Sequence, residues 1–438
     1  MNLDAWLELL EQRHWQAIDL GLGRCGKVYE RLGSPRPAKK VFTVAGTNGK
    51  GSTVAFLAAM LGRLGHTYGT FTSPHIFRFN ERISVMGEAV SDNSLIRAFE
   101  AVESARDDIS LTYFEFTTLA GLLILNQSEL EFAVLEVGLG GRLDTVNLVD
   151  TDCAVITPIG LDHQEFLGPV LVSIATEKAG IIRPGVPVVC TERNPPAPIL
   201  QMAESLQAHI YRRGRNFDLV ESPGPQTGLL HFSLGDQSMT VVPPAMGGKH
   251  QIDNLSAALA ALCVLNPACM VNAVAISKAI RSCMVPGRLQ KVFSSPEILL
   301  DVGHNELAAG ALADYLEDSR QGSVICVLAM LADKSAEAVA QAMGGVCQTW
   351  LCADSPGPRG QPGERLAQRI SATLPEAKVN AFGPLDDAMQ AALSTAQEQE
   401  TILVFGSFLT VSAAAYWVQN RLKHNGHDAD RITGGQTL

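Results

Sequence analysis

The chain has 438 residues, 46% of them hydrophobic, and its 34 Lys and Arg against 45 Asp and Glu leave a net charge of −11. That length exceeds one ordinary core and points to two domains, while the acidic balance argues against a general nucleic-acid binder. Its nine cysteines include no Cys-x-x-Cys pair, which favours reduced thiols in a cytoplasmic protein over a disulfide framework or zinc site; residues 1–6 lack a basic, apolar leader pattern, so a signal peptide is not expected, and no apolar run reaches membrane-spanning length.

An amphipathic helix is predicted over 4–14 on Leu3, Trp6, Leu7 and Leu10, and a loop over 17–23. A short buried strand at 41–45 then enters Gly46-Thr47-Asn48-Gly49-Lys50-Gly51-Ser52, with Ser52 opening an apolar helix (Val54, Phe56, Leu57, Met60, Leu61). Strand, glycine loop, lysine and helix form a phosphate cradle. Backbone N–H groups and the helix dipole face the anion, Lys50 adds a point charge, and glycines keep Cβ atoms out of the way. The loop is not an ordinary Walker A. Val44 stands where that pattern has its first glycine, and Gly51 separates Lys50 from the hydroxyl. A glycine-rich turn without a ligand shares this pattern, but strand and helix in this order favour a nucleotide.

Further on, Pro74 stops a strand and exposes Ser73 and His75. The run Leu111–Phe116 is short and aromatic; core packing accounts for it, and Thr112 and Glu115 could also face a planar polar ligand. The strand at 132–137 carries an acid, Glu136, just before a glycine turn. Ligands of open α/β sheets sit beyond the carboxyl ends of strands, so Glu136 stands where a Walker-B-like acid would hold Mg²⁺; a glutamate that only caps a turn reads the same way. A strand at 153–159 precedes Asp162 and His163. A lone histidine is more often structural, yet its place past a parallel strand raises a ligand role. Another strand is predicted at 186–190. Lys178, near a helix end, reads from composition as a solvated lysine.

Alternating runs within 209–243, such as Leu229–Leu234, suggest hairpins, and helices follow at 252–265 and 271–282. His250 to Asn254 opens a helix, and Pro286-Gly287 marks a linker. Strands at 297–302, 323–329, 349–353, 378–382 and 401–406 alternate with helices as a smaller doubly wound unit. The expected domains are 1–286 and 287–423, followed by a polar, frayed tail at 424–438.

Taken in order, Gly-Thr-Asn-Gly-Lys-Gly-Ser, Thr-Ser-Pro-His, Glu-Val-Gly-Leu-Gly-Gly-Arg, Leu-Asp-His, Glu-Lys-Ala-Gly-Ile, Pro-Gly-Arg and Gly-Ser-Phe resemble the Mur ligase superfamily of ATP-dependent amide ligases. Within it they are most similar to the bifunctional bacterial dihydrofolate synthase/folylpolyglutamate synthases, from about Trp6 to Val411. Ile18-Asp19-Leu20-Gly21 and Leu111-Thr112-Tyr113-Phe114-Glu115 carry the resemblance to that branch in particular.

The resemblance implies an α/β fold: a P-loop ATPase domain with a mostly parallel sheet, then a smaller Rossmann-like glutamate-ligase domain. It implies that L-glutamate is joined to dihydropteroate and to reduced folates through an acyl phosphate. ATP would be bound by Thr47, Asn48, Gly49, Lys50, Gly51 and Ser52, with Asn254, Arg288 and Asp301 completing the site. Mg²⁺ would occupy two sites, one held by Ser73, Glu136 and His163, although P-loop logic alone would choose Ser52. Lys50, His163 and Lys178 would be catalytic, with Lys178 carbamylated. Pteroate would be held by Ala17, Ile18, Asp19, Leu20, Thr112, Tyr113, Phe114, Glu115, Leu143, Asp144 and Thr145. The implied partners are these small molecules, with no nucleic acid or membrane, for a cytoplasmic monomer. The alternatives are a Mur-type ligase acting on a UDP-sugar peptide and a nucleotide-binding protein without turnover.

The chain departs from the family pattern in places. Asp144-Thr145-Val146-Asn147 stands for Asp-Ala-Thr-Asn, and Asp301-Val302-Gly303-His304-Asn305-Glu306 for Asp-x-Ala-His-Asn-Pro. Leu409 stands where a histidine is often found.

Overall fold

The computed structural model describes residues 1–14, 16, 18–222, 228–319 and 322–424. Ala17 and the tail beyond 424 lie outside the described residues. The chain forms two compact units, Met1–Ala245 with Gln251–Met284, and Met246–His250 with the chain from Val285 onward. The short segment Met246–His250 thus belongs with the second unit, although it precedes the predicted linker.

The first unit is built on eight strands: β1 (Ala38–Ala45), β2 (Tyr68–Phe71), β3 (Ile83–Val85), β4 (Glu88–Ala89), β5 (Leu130–Glu136), β6 (Cys153–Ile156), β7 (Val188–Cys190) and β8 (Ile210–Arg212). Their order is β4-β3-β2-β5-β1-β6-β7-β8, parallel except for β3 against β2 and β4 against β3. Val41, Phe42, Val44 and Ala45 in β1 and Ala133 to Leu135 in β5 are fully buried, because helices on both faces leave a central parallel strand no solvent side. The chain leaves β1 for β2 on one flank, and leaves β5 across β1 for β6 on the other. The carboxyl ends of β5, β1 and β6 therefore surround a topological switch point, where ligands bind in such sheets. A three-stranded antiparallel sheet follows, formed by β9 (Phe217–Glu221), β10 (Leu230–Leu234) and β11 (Gln237–Val241).

Two local readings change. Residues 17–23 are not loop throughout, since a helix spans Leu22–Arg31 and buries Cys25, Val28 and Tyr29. The loop-to-helix transition lies at Lys50 rather than Ser52, because Gly49 takes a left-handed conformation (φ 85°) and ends the turn there.

The second unit holds β12 (Gln290–Ser294), β13 (Glu297–Asp301), β14 (Val324–Leu328), β15 (Cys347–Cys352), β16 (Lys378–Ala381) and β17 (Thr401–Phe405), in the order β12-β13-β17-β14-β15-β16. Only β12 is antiparallel to its neighbour. Trp350 is fully buried at its centre against Phe405, ring centroids 6.3 Å apart. The expectation of reduced thiols rather than a disulfide framework meets one exception here. Cys326 and Cys347, on paired strands with Cα atoms 6.2 Å apart, are joined as a disulfide, a separation within the range a disulfide spans. The remaining seven cysteines are free and buried. Among the described residues no helix is long and apolar enough to cross a membrane.

Candidate active site

The glycine loop leaves β1 and turns into the helix Lys50–Arg63. It is pinned to the loop after β6. Thr47 N and Asn48 N donate to the Pro158 carbonyl (2.9 and 3.4 Å), Thr47 Oγ1 exchanges hydrogen bonds with Gly160 at 3.0 Å, and Thr157 Oγ1 donates to Asn48 O at 2.7 Å. Two glycines are fixed by close approach. A Cβ on Gly46 would lie 1.7 Å from Thr157 Oγ1, and one on Gly49 would lie 2.1 Å from Asn254 Oδ1. Asn254 is thereby placed against the loop, and its Nδ2 donates to Gln251 Oε1. Gln251 is buried as well and was not singled out in the sequence.

Lys50 Nζ donates to the carbonyls of Gly46 (3.0 Å) and Thr47 (3.2 Å). Lys178 Nζ reaches the same Gly46 carbonyl at 2.8 Å. Lys178 is therefore not solvated: it is 3% exposed. Its helix, Leu171–Ala179, buries Ile174, Ala175 and Ala179 on the same face. Burial, reinforced by the charge of Lys50, lowers its pKa to about 7, with Asp162 and Asp144 acting the other way. Asp144 lies in the same electrostatic neighbourhood. Its oxygens accept from Leu139 N (2.8 Å) and Val146 N (2.9 Å), yet burial outweighs those bonds and the Lys50 charge and raises its pKa to about 6.

The predicted metal residues come from the ends of neighbouring strands. Glu136 ends β5, in register with Val44 of β1, and its Oε2 accepts from Ser73 N at 3.3 Å. His163 follows β6 with a left-handed backbone (φ 51°) and donates from its N–H to Asp162 Oδ1 at 2.8 Å. The segment after Ser73 is tied down by Glu81, which accepts from the backbone N–H groups of Ile76 (2.9 Å), Phe77 (3.1 Å) and Arg78 (2.6 Å). Arg82 Nε donates to His75 Nδ1 at 2.9 Å, and the guanidinium lies over Phe79 and Tyr113. Among the described residues no three His, Cys, Asp or Glu side chains cluster as a metal cage. A hydroxyl and one carboxylate supply hard oxygen donors for a Mg²⁺ that keeps waters and takes its other ligands from phosphates; the imidazole would be the one nitrogen donor.

The predicted pteroate residues occupy three segments of the first unit. Thr112 and Glu115 form a capping box for the helix Tyr113–Gln127, with Thr112 Oγ1 accepting from Glu115 N and Glu115 Oε2 from Thr112 N. Their pattern in the sequence is thus first a helix start. Phe114 packs on Gly138, where a Cβ would come within 2.5 Å of its ring. The departure at Thr145 is absorbed locally, since its hydroxyl donates to Cys25 Sγ at 3.8 Å, and Val146 is fully buried.

In the second unit, Asp301 is 5% exposed and accepts from Leu289 N (2.8 Å) and Gly303 N (2.7 Å). The Arg288 guanidinium lies 5.8 Å from the Phe408 ring centre. Leu409, at the departure from the family pattern, is half exposed.

Two family models match the chain: the Mur ligase middle domain over residues 44–262 and the Mur ligase glutamate ligase domain over 287–408. The chain is 39% identical to the dihydrofolate synthase/folylpolyglutamate synthase of Escherichia coli (strain K12), covering 94% of each chain. It is 35% identical to that of Haemophilus influenzae, over 95% of this chain and 97% of the relative. The structure superposes on E. coli FolC in complex with DHPP and ADP with a TM-score of 0.89 at 38% identity, covering 96% of this chain and 98% of the other. A bifunctional folylpolyglutamate synthase/dihydrofolate synthase with Mn, AMPPNP and L-glutamate bound gives 0.86 at 36% identity, with the same coverage.

Proposed function

We propose the following chemistry from one premise: the chain belongs to the dihydrofolate synthase/folylpolyglutamate synthase family of Mur ligases. It is an ATP-dependent ligase for L-glutamate that works with a divalent metal ion. Relatives named for this activity match nearly end to end, so neither the UDP-sugar-peptide ligase nor the binding protein without turnover is retained.

The observation that carries the site assignment is the loop Gly46–Ser52, with two lysine side-chain nitrogens on one of its carbonyls. The loop N–H groups and Lys50 hold the terminal phosphates. As a dihydropteroate carboxylate oxygen attacks the γ-phosphorus, the bond to the β-phosphate oxygen breaks and ADP leaves. Lys50 offsets the charge on the transferring oxygens. The neutral amine of L-glutamate then attacks the acyl phosphate carbonyl, the C–O bond breaks, inorganic phosphate departs, and the amine gives up a proton. Reduced folates are acceptors in the second activity. Ser73, Glu136 and His163 would hold the metal ion, whose part is charge neutralisation at the phosphates. Arg288 and Asp301 are assigned to the nucleotide by resemblance. The proposed setting is a cytoplasmic monomer.

The test is phosphate release with dihydropteroate and with tetrahydrofolate, each with ATP and Mg²⁺. Release that requires both the pterin and L-glutamate is expected; no release with either pterin rejects the reading.

Lys178 fits the carbamylation that the resemblance implies, because only a neutral amine adds CO₂ and burial lowers this pKa to about 7. Labelled CO₂ is expected to bind the wild type and not Lys178→Met. The same group fixes a pH dependence in CO₂-free buffer. Its pKa is near 7 when folded, against 10.5 ordinarily. Between those values the unfolded chain binds the additional proton, so this group makes stability rise with pH across that window. Lys178→Met removes the term. Its stability relative to wild type should be greatest near pH 6 and fall as pH climbs toward 10, by at most about 1.4 kcal/mol per pH unit. A pH-independent difference in denaturant midpoints would show that Lys178 does not titrate as assigned.

A further inference from the structure

The helix Leu22–Arg31 lies outside every predicted site, yet two adjacent residues on it touch all three segments assigned to the pteroate. Arg24 Nη1 pairs with Asp19 Oδ2 at 2.6 Å, and its Nη2 donates to the Asp19 carbonyl at 3.0 Å. The same Nη2 donates to Glu115 Oε1 at 2.9 Å, on the carboxylate whose other oxygen caps the helix Tyr113–Gln127. Cys25 accepts from Thr145.

We propose that Arg24 is a positioning residue for the pteroate substrate: it ties the carboxylate of Asp19 to the capped start of the helix Tyr113–Gln127 and so holds two walls of the pocket together. The proposal rests on the pteroate assignment made above. Residues 18–21 have no regular structure, so side-chain ties decide where Asp19 sits; His14 Nε2 offers a longer one at 3.4 Å. Without the guanidinium, the carboxylates of Asp19 and Glu115 would repel one another, and the loop would move away from the helix as well as loosen. Only an arginine fork serves both at once, since a lysine is a single point charge. Arg24 also keeps its Nε buried without an acceptor, although a third of the side chain is exposed. An arginine free to choose its rotamer would turn that donor toward water; this one is held by its two carboxylates.

Steady-state kinetics with dihydropteroate separate the possibilities, using Arg24→Met, Arg24→Lys and Asp19→Ala alongside thermal melts. Arg24→Met is expected to raise KM for dihydropteroate about tenfold or more, with kcat and KM for ATP within about twofold of wild type. Arg24→Lys should fall between them. A wild-type KM in Arg24→Met, with a raised KM in Asp19→Ala, overturns the proposal and leaves the pteroate assignment standing. A wild-type KM in Asp19→Ala overturns that assignment and the proposal with it. Comparable losses in kcat and in both KM values, with a lowered Tm, replace positioning by a folding role. Should Arg24→Met fail to fold, a wild-type KM in Arg24→Lys overturns the proposal.

Discussion

Lys50→Ala is expected to slow phosphate release about 10²–10³-fold, the usual loss when one donor to a transition-state oxyanion is removed, while the thermal midpoint moves little. The rate falls because the transferring phosphoryl group carries charge that the loop N–H groups alone do not offset. The fold survives because the loop is held through Thr47, Asn48 and Thr157 to the segment after β6, and none of these bonds uses the lysine side chain. The substitution also removes the like charge that helps hold Lys178 low, so the Lys178 titration should move upward. Near-normal ligation by Lys50→Ala would end the assignment of this loop as the phosphate cradle.

Glu136→Gln is expected to raise the Mg²⁺ concentration needed for half-maximal activity by at least the 10–100-fold that outer-shell changes typically cause. Glutamine keeps the shape and an oxygen able to accept from Ser73 N, so the loop after β2 should hold its course while the formal charge is lost. Activity that recovers at high Mg²⁺ supports a metal-ligand role. A Mg²⁺ titration superimposable on that of the wild type removes Glu136 from the metal site.

What the sequence revealed and what it hid follow from how local each signal is. The central strands β1 and β5 carry the largely apolar stretches Val41–Ala45 and Phe132–Leu135, and the glycine loop is one contiguous segment, so both are readable in order. The short strands β3 and β4 and the antiparallel β12 carry no such run. The helix Leu22–Arg31 contains Gly23 and Gly26, and its first two residues fall in the predicted loop 17–23 because glycine is a poor helix former; the spacing of Cys25, Val28 and Tyr29 on its buried face was the available signal. Lys178 could have been placed inside by the same reasoning, since Ile174, Ala175 and Ala179 flank it on an apolar face. The Cys326–Cys347 pairing depends on two strands being neighbours, and the Arg24–Glu115 contact joins residues 91 positions apart. No window of sequence contains either.

Gly49 constrains engineering of the phosphate loop. A residue tolerant of left-handed backbone, such as asparagine, would normally be the conservative replacement at φ 85°. Here its Cβ would collide with Asn254, and trimming Asn254 to make room would remove a residue assigned to the nucleotide. The two positions are therefore coupled: a Cβ at Gly49 first meets the tip of the Asn254 side chain, so replacements at Gly49 are best screened together with changes at Asn254.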